Sequence, residues 1–369
     1  MNRRMFISSV ARLLGLMGIS SLFPYHATSA GKAQPPAERH KNSRDIHHLS
    51  LRTIASMKLH HSGERFINPF SNVDYGNIWR LLRWKLFSTN HFKYLYKHEQ
   101  VLPVSIDWKN VNTSSGVSIT FLKHASALIR YMEKTLIVDP VFFGLFPFIK
   151  DFSPIAFDLK AMPQPDVVLI THGHYDHLDK PSLARLNKKA YIISPLGYAP
   201  IFRELGFRRT AELDWFETVV WDNLEITLLP CNHWSMRSPI AGPNRSLWGS
   251  FLIRGISGGP SIFISGDTGY FTGFREIGTE FHIDLAVFNL GAYEPRWFMA
   301  PSHLNPAEAA QAFVDLKAQQ LIVVHWGTFR LGDEPVYLPP IQMAVQMHKR
   351  GLSDKLIHLP HGKTYTLRG

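Results

Sequence analysis

Cysteine is nearly missing from this chain of 369 residues, where Cys231 stands alone. An intramolecular disulfide and a cysteine-built zinc site are both excluded, so any metal must be held by histidine and carboxylate. Acid is scarce as well: 29 Asp and Glu face 40 Lys and Arg, a formal net charge of +11. That excess suits nucleic acid, an anionic membrane surface or a phosphate-bearing substrate, and does not choose among them. The apolar stretch from Leu13 to Phe23 is too short and too glycine-interrupted to span a bilayer, and no internal repeat is present. With 45% apolar and 19% charged residues, disorder, collagen and coiled coil are excluded, and the length suits one large catalytic unit with an N-terminal extension. Histidine is what the chain has in quantity, 19 in all.

Residues 1–30 read as a processing segment, with a basic start, an apolar middle and the small residues Ala27 to Ala30 at its end. Asn2-Arg3-Arg4-Met5-Phe6-Ile7-Ser8 resembles a twin-arginine export signal, which implies a periplasmic protein. Without that segment 37 basic residues still face 29 acidic ones, so the mature chain keeps a charge of +8. The polar stretch 31–64 reads as an irregular linker or arm. Residues 77–97 interleave Trp79, Leu82, Leu86 and Phe87 with Arg80, Arg83, Lys85, Lys93 and Lys97, as a basic amphipathic helix would, packed on the body or lying on a membrane surface.

Short apolar runs predict strands at Val117–Leu122, Ala127–Tyr131, Leu136–Val138, Val167–Thr171, Glu225–Leu229, Ser250–Ile253, Ser261–Ser265, Leu285–Phe288 and Leu321–Val324. Helices are expected at Lys180–Lys188, Ala199–Leu205, Pro306–Ala318 and Ile341–Arg350. The fold class is therefore α/β, with sheets flanked by helices. Four strands run into a residue that can bind metal: His172-Gly173-His174-Tyr175-Asp176-His177, then His233, Asp267 and His325. Strand ends converge on one edge of a sheet, and these seven nitrogen and oxygen donors suffice for two ions. His172 and His174 are two apart and share a side of extended backbone, whereas Asp176 and His177 lie beyond the turn that Gly173 permits. Asp179 followed by Pro181 reads as the cap of the next helix.

Those residues resemble the metallo-β-lactamase superfamily and, more closely, the N-acyl-phosphatidylethanolamine-hydrolysing phospholipase D family. The closer likeness rests on Arg65-Phe66-Ile67-Asn68-Pro69, Val138-Asp139-Pro140, Leu247-Trp248-Gly249-Ser250, Gly266-Asp267-Thr268-Gly269-Tyr270, Gly291 through Met299, and His325-Trp326-Gly327-Thr328-Phe329. It implies a four-layer αβ/βα sandwich formed by a metallo-hydrolase domain at 65–369. It also implies two Zn2+ per chain, one on His172, His174 and His233, the other on Asp176, His177 and His325, with Asp267 bridging both. Tyr175 and His303 match positions that meet the substrate, and His303 or a water on Asp267 is the expected proton donor to the leaving group.

The activity implied is hydrolysis of a phospholipid of the N-acyl-phosphatidylethanolamine class to an N-acylethanolamine and phosphatidic acid. A lactonase or other small-ester hydrolase of the same superfamily is the alternative. The aspartate in the bridging position disfavours antibiotic hydrolysis, and no nucleic-acid partner is expected. Arg296 stays open between a phosphate contact and a structural ion pair. Phe142–Ile149 stays open between core packing and a surface that docks on acyl chains or membrane, and monomer and homodimer both remain open.

Overall fold

In the segment Leu285–Phe288, Leu285 and Val287 face one hydrophobic core while Ala286 and Phe288 face another. Along Val167–Ile170, Val167 and Leu169 share the first core and Val168 and Ile170 enter a third. Side chains alternate along a strand, so a strand apolar on both sides must lie in a sheet covered on both faces. The computed structural model describes residues 49–113, 116–238 and 240–367 and shows that arrangement: two sheets face to face, with helices on both outer faces. The four-layer sandwich expected from the family resemblance is what forms.

Its strands are β1 (His61–Ser62), β2 (Arg65–Phe66), β3 (Val117–Lys123), β4 (Ser126–Tyr131), β5 (Lys134–Val138), β6 (Val167–Leu169), β7 (Tyr191–Pro195), β8 (Thr210–Leu213), β9 (Thr218–Trp221), β10 (Leu224–Leu229), β11 (Ser250–Gly255), β12 (Ile262–Ile264), β13 (Leu285–Asn289), β14 (Gln320–Val324) and β15 (Thr364–Leu367). One sheet runs β15-β3-β4-β5-β6-β7-β8, the other β14-β13-β12-β11-β10-β9. Helices Lys180–Arg185 and Ala199–Glu204 cover the first through Leu183 and Phe202. Helices Gly273–Glu280, Pro306–Asp315 and Leu338–Lys349 cover the second through Ile277, Phe313 and Met343.

Strand direction decides where the chemistry goes. β3 and β5 are both antiparallel to β4, and β5 is parallel to β6, so the C-terminal ends of β3 and β6 lie at one edge. In the other sheet β10 and β12 are both antiparallel to β11, while β12, β13 and β14 are parallel. Residues that follow β3, β6, β10, β12 and β14 therefore gather at shared sheet edges.

Two expectations for the N-terminal third are corrected. The arm at 31–64 is not irregular throughout, because Ser50 caps a helix Leu51–Ser56 that buries Leu51, Ile54 and Ala55. Residues 77–97 do not form one helix but an α-helix Ile78–Leu82, a π-turn Arg83–Phe87 and a 3-10 helix Lys93–His98. The break has a local cause: Trp84 is buried with Ala292 and Met299 and donates its indole N–H to Asp333, and the Asn90 side chain accepts from Phe92 N. Trp79 and Phe87 stay exposed. The last helix begins earlier than expected, at Leu338, because Pro339 and Pro340 fall in its first turn, where no backbone N–H is needed. The segment 1–30 and residues 31–48 of the expected arm lie outside the described residues, and among those described no helix is long and apolar enough to cross a membrane.

Candidate metal centre

The loop after β6 folds as a turn, with Leu178 N donating to His174 O at 2.9 Å, and Asp179 caps the following helix by accepting from Ser182 N at 3.0 Å. Gly173 is needed there for space and not for a special backbone angle. A Cβ at that position would lie 2.8 Å from the Tyr198 ring and 2.9 Å from Ser235 Oγ.

This loop and the ends of β10, β12 and β14 bring all seven expected donors together. His172, His174 and His233 form one group, with His172 Nε2 2.9 Å and His233 Nε2 3.2 Å from His174 Nδ1. Asp176, His177 and His325 form a second, which His124 also adjoins: His325 Nε2 is 3.5 Å and His177 Nε2 3.6 Å from Asp176 Oδ2. Asp267 stands between them. Its Oδ2 is 3.2 Å from His177 Nε2 and 3.9 Å from both His172 Nε2 and His233 Nε2, and its Oδ1 is 3.5 Å from His325 Nε2.

The donor set fits divalent cations. His174 Nε2, His177 Nε2 and His325 Nε2 are buried without a hydrogen-bond partner, which is costly unless a cation takes their lone pairs. Burial holds His172 and His233 well below the ordinary histidine pKa and brings His174 down to about 4, leaving neutral rings with free lone pairs. Burial disfavours the charges of Asp176 and Asp267, yet the surrounding histidines, His177 foremost, together outweigh it and hold both carboxyls well below their usual range. Burial opposes the His177 charge as well, but Asp267 and Asp176 raise it well above the ordinary value, so the pocket demands positive charge.

A second layer of side chains orients these groups. His177 Nδ1 donates to Asp139 Oδ2 at 2.7 Å, and Asp139 also accepts from Thr171 N at 2.8 Å and Thr171 Oγ1 at 2.6 Å. His233 Nδ1 donates to Ser302 O at 3.0 Å, and Asn289 Nδ2 to Asp267 Oδ1 at 2.8 Å. Asn68 Nδ2 bonds Asn232 Oδ1 at 2.8 Å and His233 O at 2.9 Å, which gives the Arg65–Pro69 motif a physical task. Cys231 is buried beside Asp267 O and joins neither group.

His303 lies at the mouth of the centre. Its Nδ1 is 3.8 Å from Asp267 Oδ2, and its side chain is 16% exposed where that of Asp267 is 2%. The capped helix Pro306–Asp315 starts just beyond it. Tyr175 stands on the rim, half-exposed, with its hydroxyl donating to Arg237 O at 2.8 Å and the Arg237 guanidinium 4.2 Å from its ring. Arg296 resolves to an ion pair, giving both oxygens of Glu308 hydrogen bonds of 2.9 and 2.7 Å. The Phe142–Ile149 segment divides: Phe142 is in the core, whereas Phe146 and Phe148 are exposed and stacked, and Phe146 meets the Tyr175 ring edge-on. His124 is among the residues that sequence reasoning missed. It follows β3, and its Nε2 is 3.0 Å from Asp176 Oδ2. The signal was the same as for the others, an apolar strand running into histidine, but without a second donor beside it.

Residues 134–326 match the model of the β-lactamase superfamily domain. Over 309 residues the chain is 31% identical to an N-acyl-phosphatidylethanolamine-hydrolyzing phospholipase D of Caenorhabditis elegans, covering 76% of this chain and 85% of that protein. The chain belongs to the metallo-β-lactamase superfamily and, within it, to the N-acyl-phosphatidylethanolamine-hydrolysing phospholipase D-like family. It is a metal-dependent hydrolase. A mitochondrial N-acyl-phosphatidylethanolamine-hydrolyzing phospholipase D of Saccharomyces cerevisiae is 32% identical over 277 residues, 71% of this chain and 58% of the yeast protein. Among solved structures, a metallo hydrolase of Ignicoccus hospitalis KIN4/I shares the fold at a TM-score of 0.52 and 18% identity, over 68% of this chain and 99% of that one.

Proposed function

We propose that this member of the family is a dinuclear zinc phosphodiesterase that hydrolyses N-acyl-phosphatidylethanolamine-like phospholipids to N-acylethanolamine and phosphatidic acid. The observation that carries the reading is the place of Asp267, whose two oxygens face His172, His177 and His233 on one side and His325 on the other. His172, His174 and His233 would hold one ion, Asp176, His177 and His325 the other, and Asp267 both. When bound, such a pair lowers the pKa of water held between the ions and neutralises charge on phosphoryl oxygens.

The chain's own residues do the rest. A water oxygen bonds to phosphorus, the bond from phosphorus to the ethanolamine oxygen breaks, and that oxygen takes a proton. Burial lowers the pKa of His303 to about 4, so its ring is neutral; beside Asp267 but free of the two donor groups, it is placed to take the proton that the attacking water releases and pass it to that oxygen. Tyr175 orients the headgroup from the rim. The exposed rings of Phe146, Phe148, Trp79 and Phe87, with the net basic charge, support contact with an anionic lipid surface. Residues 1–30 would direct export to the periplasm, leaving the hydrolase at 65–369.

The test is direct. Zinc-loaded mature protein given N-acyl-phosphatidylethanolamine vesicles should release N-acylethanolamine and phosphatidic acid in equal amounts and leave small lactones intact. Lactone opening without phospholipid cleavage would replace this reading by the lactonase one.

A further inference from the structure

The turn between β3 and β4 carries a histidine held from three directions. His124 sits at φ +51° between Lys123 and Ala125, just past the shift in β3–β4 register between Phe121 and Lys123. Its N–H donates to Thr328 Oγ1 at 2.9 Å, and its carbonyl accepts from His325 N at 2.7 Å. Its ring is fully buried, with its centroid 4.0 Å from the His325 ring and 5.0 Å from the Phe329 ring. A non-glycine residue at positive φ carries backbone strain, which persists only where the surroundings impose it. Here the backbone bonds to Thr328 and His325 impose it, and they fix where the ring points.

The ring points at Asp176. Its Nε2 is 3.0 Å from Oδ2, while Nδ1 is buried with no hydrogen-bond partner. A neutral imidazole has one N–H, and the nitrogen facing a carboxylate oxygen must carry it. Of the histidines around Asp176, His325 and His177 are farther from Oδ2, at 3.5 and 3.6 Å. Asp176 is also the donor of its group most open to water, its side chain 14% exposed where those of His177 and His325 are 1% or less. A carboxylate on an open turn has rotational freedom that the buried rings lack. His124 ties it to the same backbone bond that carries His325.

We propose that His124 is a positioning residue, which by donating Nε2–H to Asp176 Oδ2 orients that carboxylate for the ion of the Asp176–His177–His325 group without itself being a ligand. The proposal rests on the two-ion reading above. Its consequence is unequal: loss of the bond should weaken one of the two ions and spare that on His172, His174 and His233.

The experiment compares wild type, His124→Gln and His124→Leu by stepwise cobalt(II) titration of the chelator-stripped protein, following d–d absorption and bound metal per chain. Gln can offer an N–H at a similar reach, whereas Leu fills the space without one. The expected result is two binding steps in wild type and in His124→Gln, with affinities within about threefold of each other. In His124→Leu the first step should be kept and the second weakened by about 10- to 100-fold. Equal second-step affinity in Leu and wild type overturns the proposal, as does a Gln variant as weak as Leu, which would make the imidazole a ligand. Should His124→Leu fail to fold by circular dichroism, the Gln variant decides alone: two wild-type steps support the donor role, and a missing second step overturns it. A wild-type protein that takes up only one ion would instead overturn the two-ion reading.

Discussion

His177 Nδ1 donates to Asp139 Oδ2 across 2.7 Å, with both side chains completely buried. Asp139 spends its remaining capacity on Thr171, the residue that opens the metal loop. One carboxylate thus fixes the tautomer of His177, leaving Nε2 for a metal, and anchors the turn that presents His172 and His174. Asp139→Ala should lower affinity for one of the two ions by about 10- to 100-fold, measured by competition with a chromophoric chelator. Unchanged affinity would reduce Asp139 to a packing residue.

His303 separates proton transfer from metal binding. His303→Ala should keep about two zinc ions per chain while kcat falls by about 100-fold or more. The loss should shrink for a phosphodiester with a phenolate leaving group, which needs less protonation than an alkoxide. Normal zinc content with undiminished lipid turnover would remove His303 from the reaction.

Asp214 governs acid stability far from that chemistry. Its carboxylate accepts from His60 Nε2 at 2.6 Å, His61 Nε2 at 2.8 Å, Lys58 Nζ at 2.5 Å and Trp215 N at 2.7 Å, tying β1 and the segment that follows helix Leu51–Ser56 to the body. Burial opposes its charge, but the bonds from His60 and Lys58 outweigh that and hold its carboxyl below the ordinary range. A depressed carboxyl pKa stabilises the fold above the unfolded value of about 4 and loses that contribution as pH falls through the folded value. Asp214→Asn should cost on the order of 2 kcal/mol at pH 7, and the gap in Tm from wild type should narrow as pH is lowered from 5 to 3. A gap that stays constant would contradict the assignment.

On the proposed export reading, Arg3 and Arg4 carry the address. Changing both to Lys should leave the precursor in the cytoplasm, read by fractionation, if the twin-arginine route is used; undiminished export would point to another signal.

The donor-bearing strands were legible because a buried strand of a covered sheet must be apolar on both faces, so Val167–Ile170 and Leu321–Val324 stand out, and the donor comes where the apolar run stops. Edge strands give no such signal. β9 alternates exposed and half-buried residues, and β15 gains its place by pairing with β3, some 240 residues earlier, through contacts such as Tyr365 with Ile119. The seven donors were read from strand ends and family likeness together, whereas the groups that orient them were not, since Asn68 and Asn289 reach the centre only through tertiary contacts and His124 ends its strand without a second donor beside it. In the basic aromatic stretch, periodicity at Leu82, Leu86 and Phe87 suggested a helix that the burial of Trp84 against Met299 interrupts.

On the proposed reading, turnover depends on two ions shared through Asp267. Zinc per chain and N-acylethanolamine release should be followed together as chelator strips the wild-type protein, with His172→Ala and Asp176→Ala in parallel. The expected result is about two zinc ions in the active wild type, activity lost as the first of them leaves, and both variants depleted in metal and inactive. Full release of N-acylethanolamine by metal-free protein would contradict it.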